Sequence, residues 1–310
     1  MPNKLELILL AWAVLLLSHL CFADVQRGAM MRVANIYIAP DAASAKLGEV
    51  DRGREVVVLE TSREWLKVEA NLGQERIITG WIMGKGVVQA STPNGDRILF
   101  GEAVDSEDQG SQRNGRRGAA QDAFRLYYQV YELFPNSPFA GESLYRAADI
   151  RWQIDRSDVM SRPSSHERDP YMREGMNEDL MREVTKKFSA SKWADLAAFH
   201  LIENKLCGDW QATSKCPEKE AEVYEKYAKD RPQSPARAEA LYDAAWRYSA
   251  LIEIYKTEIQ PKKSEESKAK AIALAQRVAT EFPQSDWGAR AQRLLYLIQQ
   301  GVPTYGNAQD

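Results

Sequence analysis

The residues best placed to do chemistry are Cys207 and Cys216, in the stretch KLCGDWQATSKCPEKE, with Gly208 and Asp209 between them to turn the chain. Two thiols so spaced can close a disulfide or ligate a metal, and one thiol beside an imidazole can act as a nucleophile. His200 precedes Cys207 by two helical turns, so on a helix the two would share a face. A nucleophile needs a free thiol, however, and a bridge between Cys207 and Cys216 leaves none. His166 and Glu167, in SHERDP, lack the second histidine that a zinc-hydrolase helix requires. No glycine-rich loop that would cradle phosphate is present, and the many Asp and Glu residues read as solvated helix faces. The expectation is a structural bridge with no catalytic residue, no metal site, no cofactor and no enzymatic activity.

A bridge needs an oxidising compartment. The chain opens MPNKLELILLAWAVLLLSHLCFADV, with Lys4, an apolar run from Leu7 to Leu17, then Cys21, Phe22 and Ala23. That is the layout of a secretory signal peptide, residues 1–23, cut after Ala23, which makes the mature chain periplasmic or secreted. Two rival readings also export the chain. One is an uncleaved anchor over Leu5 to Ala23, opposed by Glu6 and His19; the other is a lipoprotein acylated at Cys21, opposed by Leu20. Membrane contact is expected only under those two. If Cys21 leaves with the leader, Cys207 and Cys216 are the pair that remains. Closing so short a loop stabilises by about 2 to 3 kcal/mol on the chain-entropy account.

Positioning these groups requires a scaffold, and the 310 residues suffice for about two domains. The 41 basic and 44 acidic residues leave a net charge of -3, so no single-sign field points to nucleic acid as a partner. Over residues 30–88, short β-branched or alternating runs (Asn35 to Ile38, Glu55 to Leu59, Trp65 to Glu69, Ile77 to Trp81) are separated by Gly, Pro and Asp clusters, the spacing of a small β-barrel. Residues 89–118 are rich in Gly, Ser, Asp and Gln and read as a flexible linker. Arg113, Arg116 and Arg117 within it are either solvated or a docking patch for anions.

Residues 119–300 repeat themselves. FPNSPFAGESLY, RPQSPARAEALY and FPQSDWGARAQRL each end one helix at a proline and start the next at a serine, and Ser137, Ser191, Ser234 and Ser285 recur at intervals of roughly forty to fifty-five residues. Serine caps a helix because its hydroxyl accepts an unpaired first-turn N–H, and Pro138 and Pro235 suit the first helical position. Apolar residues recur every three or four positions on either side, as in Ala238, Leu241, Ala245, Tyr248, Ile252 and Tyr255. Such hairpins must stack to bury their stripes, which predicts an all-helical array. The charged stretch 153–178, with Pro163 and Pro170, reads as an inserted loop, and 301–310 as a tail.

The expected fold is therefore multidomain: a small all-β barrel followed by an all-α array of helical hairpins. The order of landmarks in the first module, with Pro40 after the opening strand, LGEVDRG, VVVLE, EWLKVE and GWI, resembles the bacterial Src homology 3 domain. That resemblance implies a binding module whose partner is a peptide or peptidoglycan. Tyr37, where the family usually has Arg, together with Trp65 and Trp81, is then the candidate ligand groove, unless these rings only fill the barrel. In the second module Ala123, Tyr127, Val130 and Pro135 carry a resemblance to the tetratricopeptide-like repeats of periplasmic envelope proteins, among them the outer-membrane-assembly lipoproteins and the Tol-associated coordinator. Glu220 and Tyr227 depart from that pattern. The resemblance implies a non-enzymatic adaptor that binds an envelope protein or peptide, with Tyr145, Arg146, Tyr242, Trp246 and Arg247 as candidate anchors on the concave side. The alternative it leaves open is a peptidoglycan-binding accessory subunit or a degenerate wall hydrolase. In protein isolated without reductant, thiol labelling should modify neither Cys207 nor Cys216; labelling of both would remove the bridge and weaken the case for export.

Overall fold

The computed structural model describes residues 26–73, 76–161, 177–203, 206–207 and 210–305. The expected leader, Cys21, His166 and most of the expected insertion lie outside the described residues. Within them, no helix is long and apolar enough to cross a membrane. The chain divides into two units, Met1–Leu99 and Phe100–Asp310.

The first unit is one antiparallel sheet of β1 (Gln26–Met30), β2 (Ala34–Tyr37), β3 (Lys46–Val50), β4 (Glu55–Ser62), β5 (Trp65–Asn71), β6 (Ile77–Met83) and β7 (Val87–Gln89), in the order β3-β2-β6-β5-β4-β1-β7. Strand alternation puts Val56 opposite Ala70, Val58 opposite Val68 and Leu66 opposite Ile82. These side chains, with Met30, Ile36 and Val50, form the core on one face. Gly80 opens the GWI motif for a steric reason: a Cβ there would stand 2.5 Å from Ile36 Cγ2 and 2.7 Å from the Tyr37 carbonyl oxygen. Among the described strands the ladder ends at β3 and β7 without joining them, so the sheet is open where a closed barrel is expected. It also begins earlier than residue 30, because β1 runs between β4 and β7 and pairs with both.

Helix α1 (Gly95–Ser111) occupies most of the segment expected to be a flexible linker. Its apolar residues are few, but Leu99, Ala103 and Ser106 share a helical face and all are buried. In the second unit, Phe100 stacks on Phe139 at 4.7 Å and meets Tyr127 edge-on at 5.6 Å. Arg116, solvated or docking in the sequence reading, is ion-paired with the buried Asp122 at 2.6 Å.

The rest of the second unit is helical: α2 (Ala119–Leu133), α3 (Ala140–Ser161), α4 (Asp179–Lys187), α5 (Lys192–Glu203), α6 (Lys215–Asp230), α7 (Arg237–Thr257), α8 (Pro261–Glu281) and α9 (Asp286–Gln299). The expected inserted loop starts too early at 153, since α3 continues through Ser161. The repeated serine motif is one turn built four times. Phe134, Phe188, Arg231 and Phe282 end their helices by donating backbone N–H to Val130, Val184, Tyr227 and Val278. The serine N–H then returns to the carbonyl of that same ending residue, at 2.9 Å for Ser137 and Ser191 and 3.1 Å for Ser234 and Ser285. The serine Oγ accepts from Phe139, Ala194, Ala236 and Gly288 N–H at 3.1, 3.3, 3.1 and 3.0 Å. Where proline follows the serine, the α-helix starts only at Ala140 or Arg237, so Pro138 and Pro235 sit in a preceding turn rather than at the first α-helical position. The turns join α2 to α3, α4 to α5, α6 to α7 and α8 to α9, which makes the helices after the serines the second members of these pairs.

The connection from α7 to α8 is different in kind. Ile259 holds a left-handed φ of 59°, is 87% exposed, and lets Gln260 N–H reach the Tyr255 carbonyl at 2.8 Å. A β-branched residue pays a steric cost there that glycine does not. Ile259→Gly should therefore raise unfolding stability by about 1 kcal/mol, net of the freer unfolded chain, read as a higher urea midpoint at constant slope. A lower midpoint would mean that the isoleucine side chain has a stabilising contact.

Candidate functional site

The expected anchors divide into packing residues and ion-paired residues. Tyr145 on α3 lies 5.5 Å from Trp193 at the start of α5, and Tyr242 on α7 lies 5.3 Å from Trp287 at the start of α9. The two tyrosines hold the same position after their serine turns, and so do the two tryptophans. One aromatic contact thus recurs between successive serine-started helices, α3 with α5 and α7 with α9. Trp246 lies 5.2 Å from Trp210. Arg146 is half-buried between Glu107 at 2.7 Å and Glu142 at 2.8 Å, and it donates to the Tyr127 hydroxyl at 3.2 Å. Burial, then the Glu107 carboxylate, pushes the Tyr127 phenol far above its ordinary range.

Arg247 is 8% exposed, which corrects its reading as a groove anchor. Its guanidinium pairs with Glu220 at 2.9 Å and stands 4.4 Å from the Tyr224 ring and 5.4 Å from that of Trp246. The Glu220 carboxylate also accepts from Cys207 N–H at 2.8 Å and Trp210 Nε1–H at 3.2 Å. Cys207 and Cys216 stand at bonding distance with Cα atoms 6.0 Å apart, so their loop carries Trp210 back over α7. Trp210, Ala250 and Ile254 form a small apolar cluster there, with Trp246 and Tyr305 against it. Glu220 therefore joins the disulfide loop to α6 and α7, a role that sequence reading missed. The signal was present: Glu220 stands where the first and last copies have Ala123 and Ala271, at the same offset before their turn residues. Tyr227, the other departure, bonds Ser234 Oγ at 2.6 Å and donates to the Asp195 carbonyl at 2.8 Å.

His200 does not meet a free thiol, because Cys207 faces Cys216. It sits instead 3.5 Å from Asp149 through Nδ1, edge-on to Trp152 at 4.6 Å, with Nε2 buried and without a hydrogen-bond partner. Burial raises the Asp149 carboxyl and the His200 charge opposes that rise. In the sheet unit, Tyr37 opposes Trp81 across β2 and β6, and its ring meets Trp65 edge-on at 5.7 Å. Trp65 is only 9% exposed and so contributes to packing more than to a groove. Trp81, beneath the Lys67 ammonium at 6.0 Å, is half-buried, and Met83 beside it in register with Trp65 is 45% exposed.

A separate cleft of about 430 Å³ is lined by Glu107, Gly110 and Ser111 of α1, Ala120 of α2, and Ile150, Gln153, Ile154 and Ser157 of α3. The sequence reading missed it because its first wall was taken for a linker and part of the other for a loop.

Two measurements follow from the Glu220 network. Arg247→Ala should cost about 3 to 5 kcal/mol, since it strands a buried carboxylate, whereas Arg146→Ala at a half-exposed pair should cost about 1 kcal/mol. Equal losses in urea unfolding would refute the buried pairing. Asp243 tests the sign of burial: desolvation lifts its carboxyl to about 6, against the opposing pull of Arg247. Its unfolded value is about 3.9, so the native state binds the extra proton in between, and this contribution to stability falls as pH rises from about 4 to about 6 and stays lost above. Asp243→Asn should flatten that fall and raise stability at pH 7; a steeper fall would show that the charged form is favoured.

No protein-family model matches the chain, and no curated protein does. Among solved structures, a de novo designed helical repeat protein is similar in part, at 16% identity and a TM-score of 0.19, over 67% of this chain and 95% of that one. A likeness that weak carries no structural argument.

Proposed function

We propose that this chain is a non-enzymatic adaptor of the cell envelope, exported by its N-terminal leader, that binds a protein or peptide on its helical unit. The observation that supports it is the cleft between α1 and α3. It has an apolar floor of Ile150, Ile154 and Ala120, polar sides of Glu107, Ser111, Gln153 and Ser157, and the volume of a short segment of polypeptide. The Ser137 turn fixes α3 on α2, Phe100 and Glu107 hold α1 through Phe139, Tyr127 and Arg146, and walls so held limit the ordering cost of binding. The finer resemblances, to bacterial Src homology 3 domains and to tetratricopeptide-like repeats of envelope proteins, agree with a binding role in both units. The bridge between Cys207 and Cys216 agrees with an oxidising compartment.

A second reading rests on the sheet. Trp81, Tyr37 and Met83 share a face with Lys67, an arrangement on which a sugar ring of peptidoglycan would stack, with the ammonium beside it.

One experiment separates the two. A photocrosslinking residue placed at Ser111 or Ser157 should give discrete protein adducts in envelope extracts, and the same residue at exposed Lys226 should not. No adduct at either cleft position, together with co-sedimentation with wall sacculi that is lost in Trp81→Ala, would overturn the adaptor reading in favour of wall binding.

A further inference from the structure

After α9 the chain reverses at Gly301, whose φ of 69° suits glycine, and Val302 N–H caps the helix through the Leu297 carbonyl at 2.9 Å. The next residues run without helix or strand and are held by side chains. The Thr304 hydroxyl meets the Ser249 hydroxyl at 2.7 Å. The Tyr305 ring packs 5.1 Å from Trp210, and its hydroxyl accepts from Ala212 N–H at 3.4 Å. Gly301, Val302 and Pro303 are exposed, and a void of about 60 Å³ lies beneath them between Ile252, Glu253 and Ile298. A stretch with so few contacts opens locally at little cost.

The seat, by contrast, is complete without its occupant. Glu220 fixes the Trp210 indole through Nε1–H, the Cys207–Cys216 bridge closes the loop that carries it, and Trp246 backs it at 5.2 Å. Ser249 is tied to its own helix by donating to the Trp246 carbonyl at 2.7 Å. A rigid apolar step beside one hydroxyl and one backbone donor is a preorganised receptor for an extended segment in which a hydroxyl residue precedes an aromatic.

We propose that Val302–Tyr305 is an internal ligand of this seat, and that the seat's partner is an extended Pro-Thr/Ser-Tyr segment of another protein, which displaces the tail. The inference rests on the reading of the helical unit as a polypeptide binder, but at a different place from the α1–α3 cleft. It makes the tail a competitor whose local concentration, set by its short tether, is on the order of millimolar.

The test uses the full chain and the synthetic peptide Gly-Val-Pro-Thr-Tyr-Gly in titration calorimetry. Tyr305→Ala, which keeps the tail but removes its ring, should bind the peptide at least roughly tenfold more tightly than the unaltered chain. A peptide with Ala in place of Tyr should not bind the variant. Equal affinity of the two chains, or no binding to the variant, would overturn the proposal. If Tyr305→Ala alters the circular dichroism spectrum, Thr304→Val gives a milder release and should show the same ordering. Adducts at Ser111 and Ser157 with no peptide binding here would remove this seat and leave the adaptor reading standing. Peptide binding without those adducts would keep the seat and remove the cleft.

Discussion

A carboxylate taken out of water must find its hydrogen bonds inside the protein, and much of the C-terminal half of this chain is arranged around meeting that demand for Glu220. Donors reach it from other elements: a guanidinium from α7, an indole from the disulfide loop and a backbone N–H from Cys207 itself. Each donor fixes an element. Arg247 sets the rotation of α7 against α6, and Trp210 sets the loop. Through the Trp210 ring the loop sets the resting place of Tyr305. Glutamate at this one repeat position brings a charge into the core where Ala123 and Ala271 are fully buried. In exchange it ties the second helix of the pair to a covalent bridge. A buried ion pair adds little net stability over an apolar alternative, but it permits far fewer arrangements.

The remaining order is local and repeated. Each serine turn satisfies one end of a helix and one end of the next within a handful of atoms. Stacking between pairs is the job of Tyr145 on Trp193 and of Tyr242 on Trp287. Between them the third copy has Ala236 in place of tryptophan, and Phe199 turns to Tyr224 and Tyr227 instead. The divergence of the repeats is thus a substitution of one aromatic contact for another.

The sequence made the helical pattern, the serine turns and the cysteine pair legible because each is a short-range feature with one chemical reason. It left other features hidden for equally physical reasons. Helix α1 buries Gly95, Leu99, Ala103 and Ser106, and its Gly and Asp content outweighs that stripe until Phe139 and Tyr127 are placed beside Phe100. Arg247 looked like an exposed anchor because a helix shows its charged residues the same way whether water or a buried carboxylate receives them. Tyr145 and Tyr242 hold equivalent positions after their serines, yet their partners come from the following pair, which no local window contains. The sheet's open edges depend on hydrogen bonds between β3 and β7 that do not form, and strand pattern does not report closure.

The serine turns also bear on how the molecule would answer to pulling. The paired helices are joined by compact connections and stacked mainly on their nearest neighbours, so a load applied along the chain passes through them in series. Helix α9 packs against α8 and α7, and α8 in turn has its broadest contact with α7, so the last two pairs hold together as one block, whereas the covalent bridge at Cys207 and Cys216 shields the loop before α6 from being drawn out. A chain built this way gives way between blocks of paired helices rather than helix by helix, which makes its compliance a matter of how few of its junctions are narrow.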